Sequence, residues 1–168
     1  MEPRRLLLIR HAQAADAPVD AQRPLTDRGA RRGAAIGAWL ADAGLVPDRV
    51  LVSPARRAGQ TWERAAGRLP RAPRPVVDER IYANTVEALL AVVGETPDDV
   101  PVLAVVGHNP SIGELAAALD DGQGDPAARE DVGAGFPTGG VAVFTLGTPF
   151  SAVAPGAATL DGFTVPGG

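Results

Sequence analysis

Two apolar runs in this chain show no internal alternation: Leu6-Leu7-Leu8-Ile9 and Val102-Leu103-Ala104-Val105-Val106. A strand with one wet face alternates polar and apolar side chains. An unbroken run instead predicts a strand buried on both faces. Such strands need helices above and below them, and segments of helical spacing do lie between the runs. Each run stops at a polar group, Arg10-His11 in one case and Gly107-His108-Asn109-Pro110 in the other. These are the only two histidines among 168 residues.

The intervening elements fit the same plan. Thr26 is placed to cap a helix with apolar residues at Ala30, Ala34, Ile36, Ala38, Trp39 and Leu40, ended by Gly44. Arg49–Val52 reads as a strand. Ser53 then reads as a cap with Pro54 at the first helical position, opening a helix to about Gly67. Pro75–Val77 reads as a minor strand. Asn84-Thr85-Val86-Glu87 and Ser111-Ile112-Gly113-Glu114 have the spacing of capping boxes, with Asn84 and Ser111 as caps. Residues 121–139 are acidic and glycine-rich and read as a surface excursion, either closing over a site or decorating an edge. Val141–Leu146 and Ala158–Val165 read as closing strands. Alternating strands and helices predict one α/β domain over residues 1–168, with a mostly parallel central sheet between two helical layers. A chain of this length can bury roughly 70 % of its unfolded surface. In such folds ligands sit beyond the carboxyl ends of the strands, here residues 10–12, 53–57 and 107–109.

Charge narrows the partner. Every one of the 16 basic residues is arginine; 15 fall in residues 1–80, which carry a formal +6, whereas residues 81–168 carry −10. A basic half within an acidic chain predicts a local anion site rather than a broad nucleic-acid surface. No apolar run approaches the roughly 18 residues that cross a bilayer. Arg4-Arg5 ahead of Leu6–Ile9 has the charge order of a secretory signal, but a signal core needs at least about seven apolar residues. The chain is therefore expected to be cytoplasmic, without nucleic-acid or membrane partners; its oligomeric state is left open. Cysteine is absent, which excludes disulfides and thiolate chemistry.

With His11 and His108 on one rim, Arg10 and Arg57 point to the same place. Arginines repel a metal cation, and no carboxylate stands at a regular spacing to complete a ligand set. No metal or cofactor is expected. The same groups suit phosphoryl chemistry: guanidinium forks match phosphate oxygens, and neutral imidazole is a competent nucleophile near pH 7. A second imidazole, if protonated, adds positive charge where a transferring group needs it.

Leu8-Ile9-Arg10-His11-Ala12 resembles the Arg-His-Gly signature of the histidine phosphatase superfamily, whose fold is phosphoglycerate-mutase-like. Ser53-Pro54-Ala55-Arg56-Arg57-Ala58-Gly59-Gln60-Thr61, Gly107-His108-Asn109-Pro110, and Arg23-Pro24-Leu25-Thr26 with Gly29 are similar to its other blocks, in family order. The short chain most resembles the small phosphohistidine-phosphatase branch. The resemblance implies His11 as nucleophile, Arg10 and Arg57 as phosphate holders, and His108 as a further contact to the same oxygens. Arg23, Ser53 and Glu79 are implied as substrate contacts, with Glu79 the candidate proton donor. Ala12 departs from the signature, since it replaces a glycine and narrows the backbone's freedom. The implied activity is metal-independent hydrolysis of phosphohistidine on a protein through a phosphohistidine intermediate. The alternatives are a phosphomonoesterase using Glu79 on a small metabolite, and a phospho-ligand binding module without turnover.

Overall fold

The computed structural model describes residues 2–168. Its six strands are β1 (Arg4–Arg10), β2 (Arg49–Val52), β3 (Val76–Val77), β4 (Val102–Gly107), β5 (Val141–Leu146) and β6 (Thr159–Thr164). They form one sheet in the order β3-β2-β4-β1-β5-β6. The first four are parallel; β5 runs antiparallel to β1, and β6 antiparallel to β5. The helices are α1 (Asp27–Asp42), α2 (Arg56–Ala66), α3 (Glu79–Tyr82), α4 (Val86–Gly94), α5 (Ser111–Leu119) and α6 (Pro126–Ala134).

The unbroken apolar run of β1 is explained by the two layers. Leu7 and Ile9 pack with Ile36, Leu40 and Trp62 of α1 and α2 on one face. Leu6 and Leu8 pack with residues of α4, α5 and α6 on the other. All four are essentially inaccessible to solvent. Burying each contributes about 1.5–3 kcal/mol, which anchors β1 deeply between the layers.

Local chemistry sets where helices begin, and three caps differ from expectation. Thr26 caps α1 as predicted, its hydroxyl accepting from Gly29 N–H at 2.9 Å. Ser53 does not cap α2: the helix begins two residues later, after Ala55, with no side-chain cap. Thr85, not Asn84, caps α4, accepting from Ala88 N–H at 3.1 Å. Asn84 instead takes the left-handed conformation (φ 64°) and turns its amide toward Asn109 and Ser111. Ser111 lies one residue inside α5. Residues 121–139 contain the unpredicted α6, which Asp125 caps ahead of Pro126. The segment after α6 neither lids the site nor hangs free. Gly139 N–H is shared by the Arg10 and His11 carbonyls, each at 3.0 Å, and Gly140 accepts from Arg10 N–H. It braces the tip of β1.

Helices α1 and α2 approach so closely at Gly37 that a Cβ there would overlap the Ala65 carbonyl, whereas a Cβ on Gly59 of α2 meets open space. Gly37→Ala is expected to destabilise the protein by about 1–3 kcal/mol through overpacking. Gly59→Ala should stabilise it by up to about 1 kcal/mol through helix propensity. Urea unfolding midpoints of the two variants check both signs.

Candidate active site

Parallel pairing places the histidines. In the β1–β4 register Ile9 lies beside Val106 and Arg10 beside Gly107. His11 N–H then continues the ladder to the Gly107 carbonyl at 3.0 Å. The next residue on each strand is a histidine, and the ring centroids are 5.2 Å apart. On the other side of β4, Val52 lies beside Val106, which brings Ser53 to the same rim.

The hydrogen bonds define both tautomers. A carbonyl only accepts, so His11 Nδ1–H donates to the Ala12 carbonyl at 2.7 Å. His11 Nε2 is then the lone-pair nitrogen, and Arg57 Nε–H points at it from 3.3 Å. A guanidinium only donates, so His108 Nδ1 accepts from Arg57 Nη2 at 3.4 Å. His108 Nε2–H therefore donates to Ser53 Oγ at 2.7 Å. Ser53, freed from capping, instead fixes the second ring.

Ala12 is strain-free, because Asn84 is the only non-glycine residue with positive φ among the described residues. Its N–H donates to Thr61 Oγ1 at 2.9 Å, and Thr61 in turn donates to the Arg57 carbonyl at 2.7 Å. One buried hydroxyl thus ties the turn that carries His11 to the helix that carries Arg57.

A cavity of about 340 Å³ is lined by Arg10, His11, Asp20, Arg23, Arg57, Tyr82, Asn84, His108 and Asn109. Arg10 Nη1 is held by the Phe136 carbonyl at 3.0 Å, and its buried Nε has no partner among the described residues. Asp20 is not singled out from sequence as a site residue, whereas Tyr82 reads from sequence as a pocket wall or a core residue, and the structure makes it a pocket wall. They arrive on a 3-10 turn (Asp20–Gln22) and on α3. The Asp20 carboxylate meets Arg57 Nη2 at 3.1 Å, Tyr82 Oη at 2.6 Å and Arg23 Nη1 at 3.4 Å. The one available signal was its spacing three residues before Arg23. Glu79 does not join the site. It occupies the first position of α3, exposed, and Tyr82 one turn later is the α3 residue that lines the cavity. Among the described residues no three His, Asp or Glu side chains gather as a metal-ligand set.

The electrostatics follow from burial. Desolvation lowers the His11 pKa to about 4, with the charges of Arg57, Arg10 and Arg23 adding to it and the Ala12 hydrogen bond opposing. Desolvation and the neighbouring His11 ring lower His108 to about 3. Both rings are neutral at pH 7, so His108 supplies no standing positive charge in the free protein. The Tyr82 hydroxyl above all, then Arg57, lowers Asp20 to about 2.

Residues 6–84 match the histidine phosphatase superfamily (branch 1). The chain is 31% identical over 150 residues to phosphohistidine phosphatase SixA of Escherichia coli, covering 84% of each chain. It belongs to the histidine phosphatase superfamily. This histidine phosphatase is also 36% identical over 161 residues to an uncharacterized protein of Mycobacterium tuberculosis, covering 94% of this chain and 99% of that one. Its fold matches a solved protein histidine phosphatase SixA complexed with tungstate at a TM-score of 0.78. That match has 30% identity over 96% of this chain and 97% of the other. The sheet order and flanking helices are those of the phosphoglycerate-mutase-like fold.

Free imidazole titrates near pH 6.5, so between about pH 6.5 and pH 4 the unfolded chain binds protons that the folded histidine phosphatase refuses. Stability should therefore fall as pH falls through that window. Imidazole ¹⁵N NMR is expected to show both rings neutral at pH 6, protonated on Nδ1 in His11 and on Nε2 in His108. Urea unfolding at pH 7 and pH 5 checks the sign.

Proposed function

We propose that this phosphatase hydrolyses phosphohistidine on a protein by way of a phosphoryl group carried on His11, with arginines rather than a metal supplying the positive charge. The observation that carries this reading is the state of His11. His11 lines the cavity with Nε2 as its lone-pair nitrogen, met there by Arg57 Nε–H, while its proton is fixed on the far nitrogen by Ala12.

In the first step the Nε2 lone pair attacks phosphorus in line, and the bond from phosphorus to the leaving nitrogen breaks with its electron pair. His11 becomes a cationic phosphoimidazole whose Nδ1–H remains on the Ala12 carbonyl. Arg57 and Arg10 take the phosphoryl oxygens, so guanidinium donors stabilise the charge of the transferring group. His108, fixed by Ser53, holds Arg57 against the His11 ring. An anion in the cavity raises the pKa of His108, so the ring can gain charge on binding. Water then attacks phosphorus, inorganic phosphate leaves, and neutral His11 returns.

The leaving group decides the substrate class. An alkoxide needs a proton donor, and the cavity supplies no protonated carboxylic acid. Glu79 is outside it, and Asp20 is ionised at any pH well above 2. An imidazole leaving from a phosphoramidate can carry its own proton. The similarity to SixA, a phosphohistidine phosphatase in Escherichia coli, supports the same class.

Rapid quenching with a ³²P-phosphohistidine peptide should trap an acid-labile, base-stable label on the wild type and none on His11→Asn. Turnover of His11→Ala should fall at least about 1000-fold, and that of Arg57→Ala by about 100- to 1000-fold. EDTA should leave the rate unchanged. Glu79→Gln should keep its rate on both phosphohistidine peptide and p-nitrophenyl phosphate. An unlabelled wild type, or a collapse of Glu79→Gln on both substrates, would overturn the reading.

A further inference from the structure

Asp20 places the one carboxylate among the residues that line the cavity. Three contacts hold that carboxylate, at 2.6 Å from Tyr82, 3.1 Å from Arg57 and 3.4 Å from Arg23, and its backbone carbonyl accepts from Arg57 Nη1 at 2.9 Å. Arg57 and Arg23 have no other carboxylate partner among the described residues. Four of the five Arg57 N–H groups are accordingly engaged: Nε faces His11, one Nη1–H the Asp20 carbonyl, and Nη2 both the Asp20 carboxylate and His108, which leaves a single Nη1–H. A phosphoryl group on His11 Nε2 finds no free Arg57 fork in this arrangement.

We infer that Asp20 is a resident anion of the phosphoryl site, whose carboxylate occupies the Arg57 and Arg23 donors at rest and must release them for a phosphoryl group to seat. This rests on the reading of the cavity given above. Two anions a few ångströms apart in a partly desolvated hollow repel strongly, so carboxylate and phosphoryl group do not share the arginines. Release is mechanically easy. The turn Asp20–Gln22 buries no residue, and the Asp20 side chain is half exposed. Held well below the usual carboxylate range, Asp20 stays charged throughout the physiological pH range.

Exchange makes the site selective by charge. A singly charged ligand, such as a carboxylate, replaces Asp20 without electrostatic gain. A phosphoryl dianion brings twice the charge and a third oxygen, so it can take the fork and a further donor at once. Affinity for phosphate is reduced by the fraction of molecules in which Asp20 has let go.

The test is binding of inorganic phosphate by calorimetry, which needs no turnover. Asp20→Asn is expected to bind phosphate roughly tenfold more tightly and to lower KM for the phosphohistidine peptide by a similar factor. Tyr82→Phe leaves the site's charge unchanged but loosens the carboxylate, and should tighten binding by a smaller factor. That arm separates release of Asp20 from a simple change of charge. Tyr82 is the only tyrosine, so a ¹³Cζ label gives one resonance. It should shift on phosphate addition as its hydrogen bond to Asp20 is lost. Unchanged or weaker phosphate binding by both variants, a fixed Tyr82 resonance, or a loss of kcat at constant KM in Asp20→Asn would each overturn the inference. A wild type that binds no phosphate would instead sink the reading of the cavity itself.

Discussion

The pairing of β1 with β4 fixes everything that happens at the rim. Parallel strands in register carry their ends to one level, so Arg10 beside Gly107 leaves His11 and His108 as neighbours. A slip of one residue would send every side chain of β1 to the opposite face. It would exchange Leu6 and Leu8 for Leu7 and Ile9 between two differently shaped helical layers. The apolar packing that stabilises the sheet is therefore also what sets the distance between the two rings. Glycine at 107 is part of the same fit, because a side chain there would press on Ile81 and Ile112.

Around that register the site holds its charge balance by contact rather than by titration. Three guanidiniums converge on one hollow, yet both imidazoles stay neutral because burial and the arginines oppose their protonation. Each ring is pinned by one donated and one accepted bond, and Arg57 lies between them. A buried cation so placed would be costly without acceptors. The acceptors that Arg57 meets are two ring nitrogens, a carbonyl and a carboxylate, so its charge is compensated within the pocket.

The parts legible in the amino-acid order are those governed by periodicity and by strand ends. The double-sided strands, the Thr26 cap and the convergence of the Arg10, His11, Arg57 and His108 positions follow from apolar patterning. Asp20 escaped it because a 3-10 turn has no period to detect, and Tyr82 was legible only as pocket wall or core because a four-residue helix has none either. Thr61 reads as one more residue on the buried face of α2, and nothing in its spacing reveals that its hydroxyl reaches Ala12. The α6 helix was legible in principle: Asp125-Pro126 is a cap followed by proline at the first helical position. Surrounding glycines and acids masked it. Ser53 and Asn84 were placed one or two residues from the true caps because their side chains had stronger partners elsewhere in the fold.

The strap from Phe136 to Gly140 divides the excursion between α5 and β5 into two stretches of unequal tolerance. Upstream, α6 rests on β6 and α5 at the antiparallel end of the sheet. Extra turns or a grafted module there would lengthen the molecule without reaching the pocket. Downstream, three consecutive backbone links and the grip on Arg10 depend on a fixed count of residues. Chain-length drift among homologues should accordingly accumulate before Phe136 and stop abruptly at it.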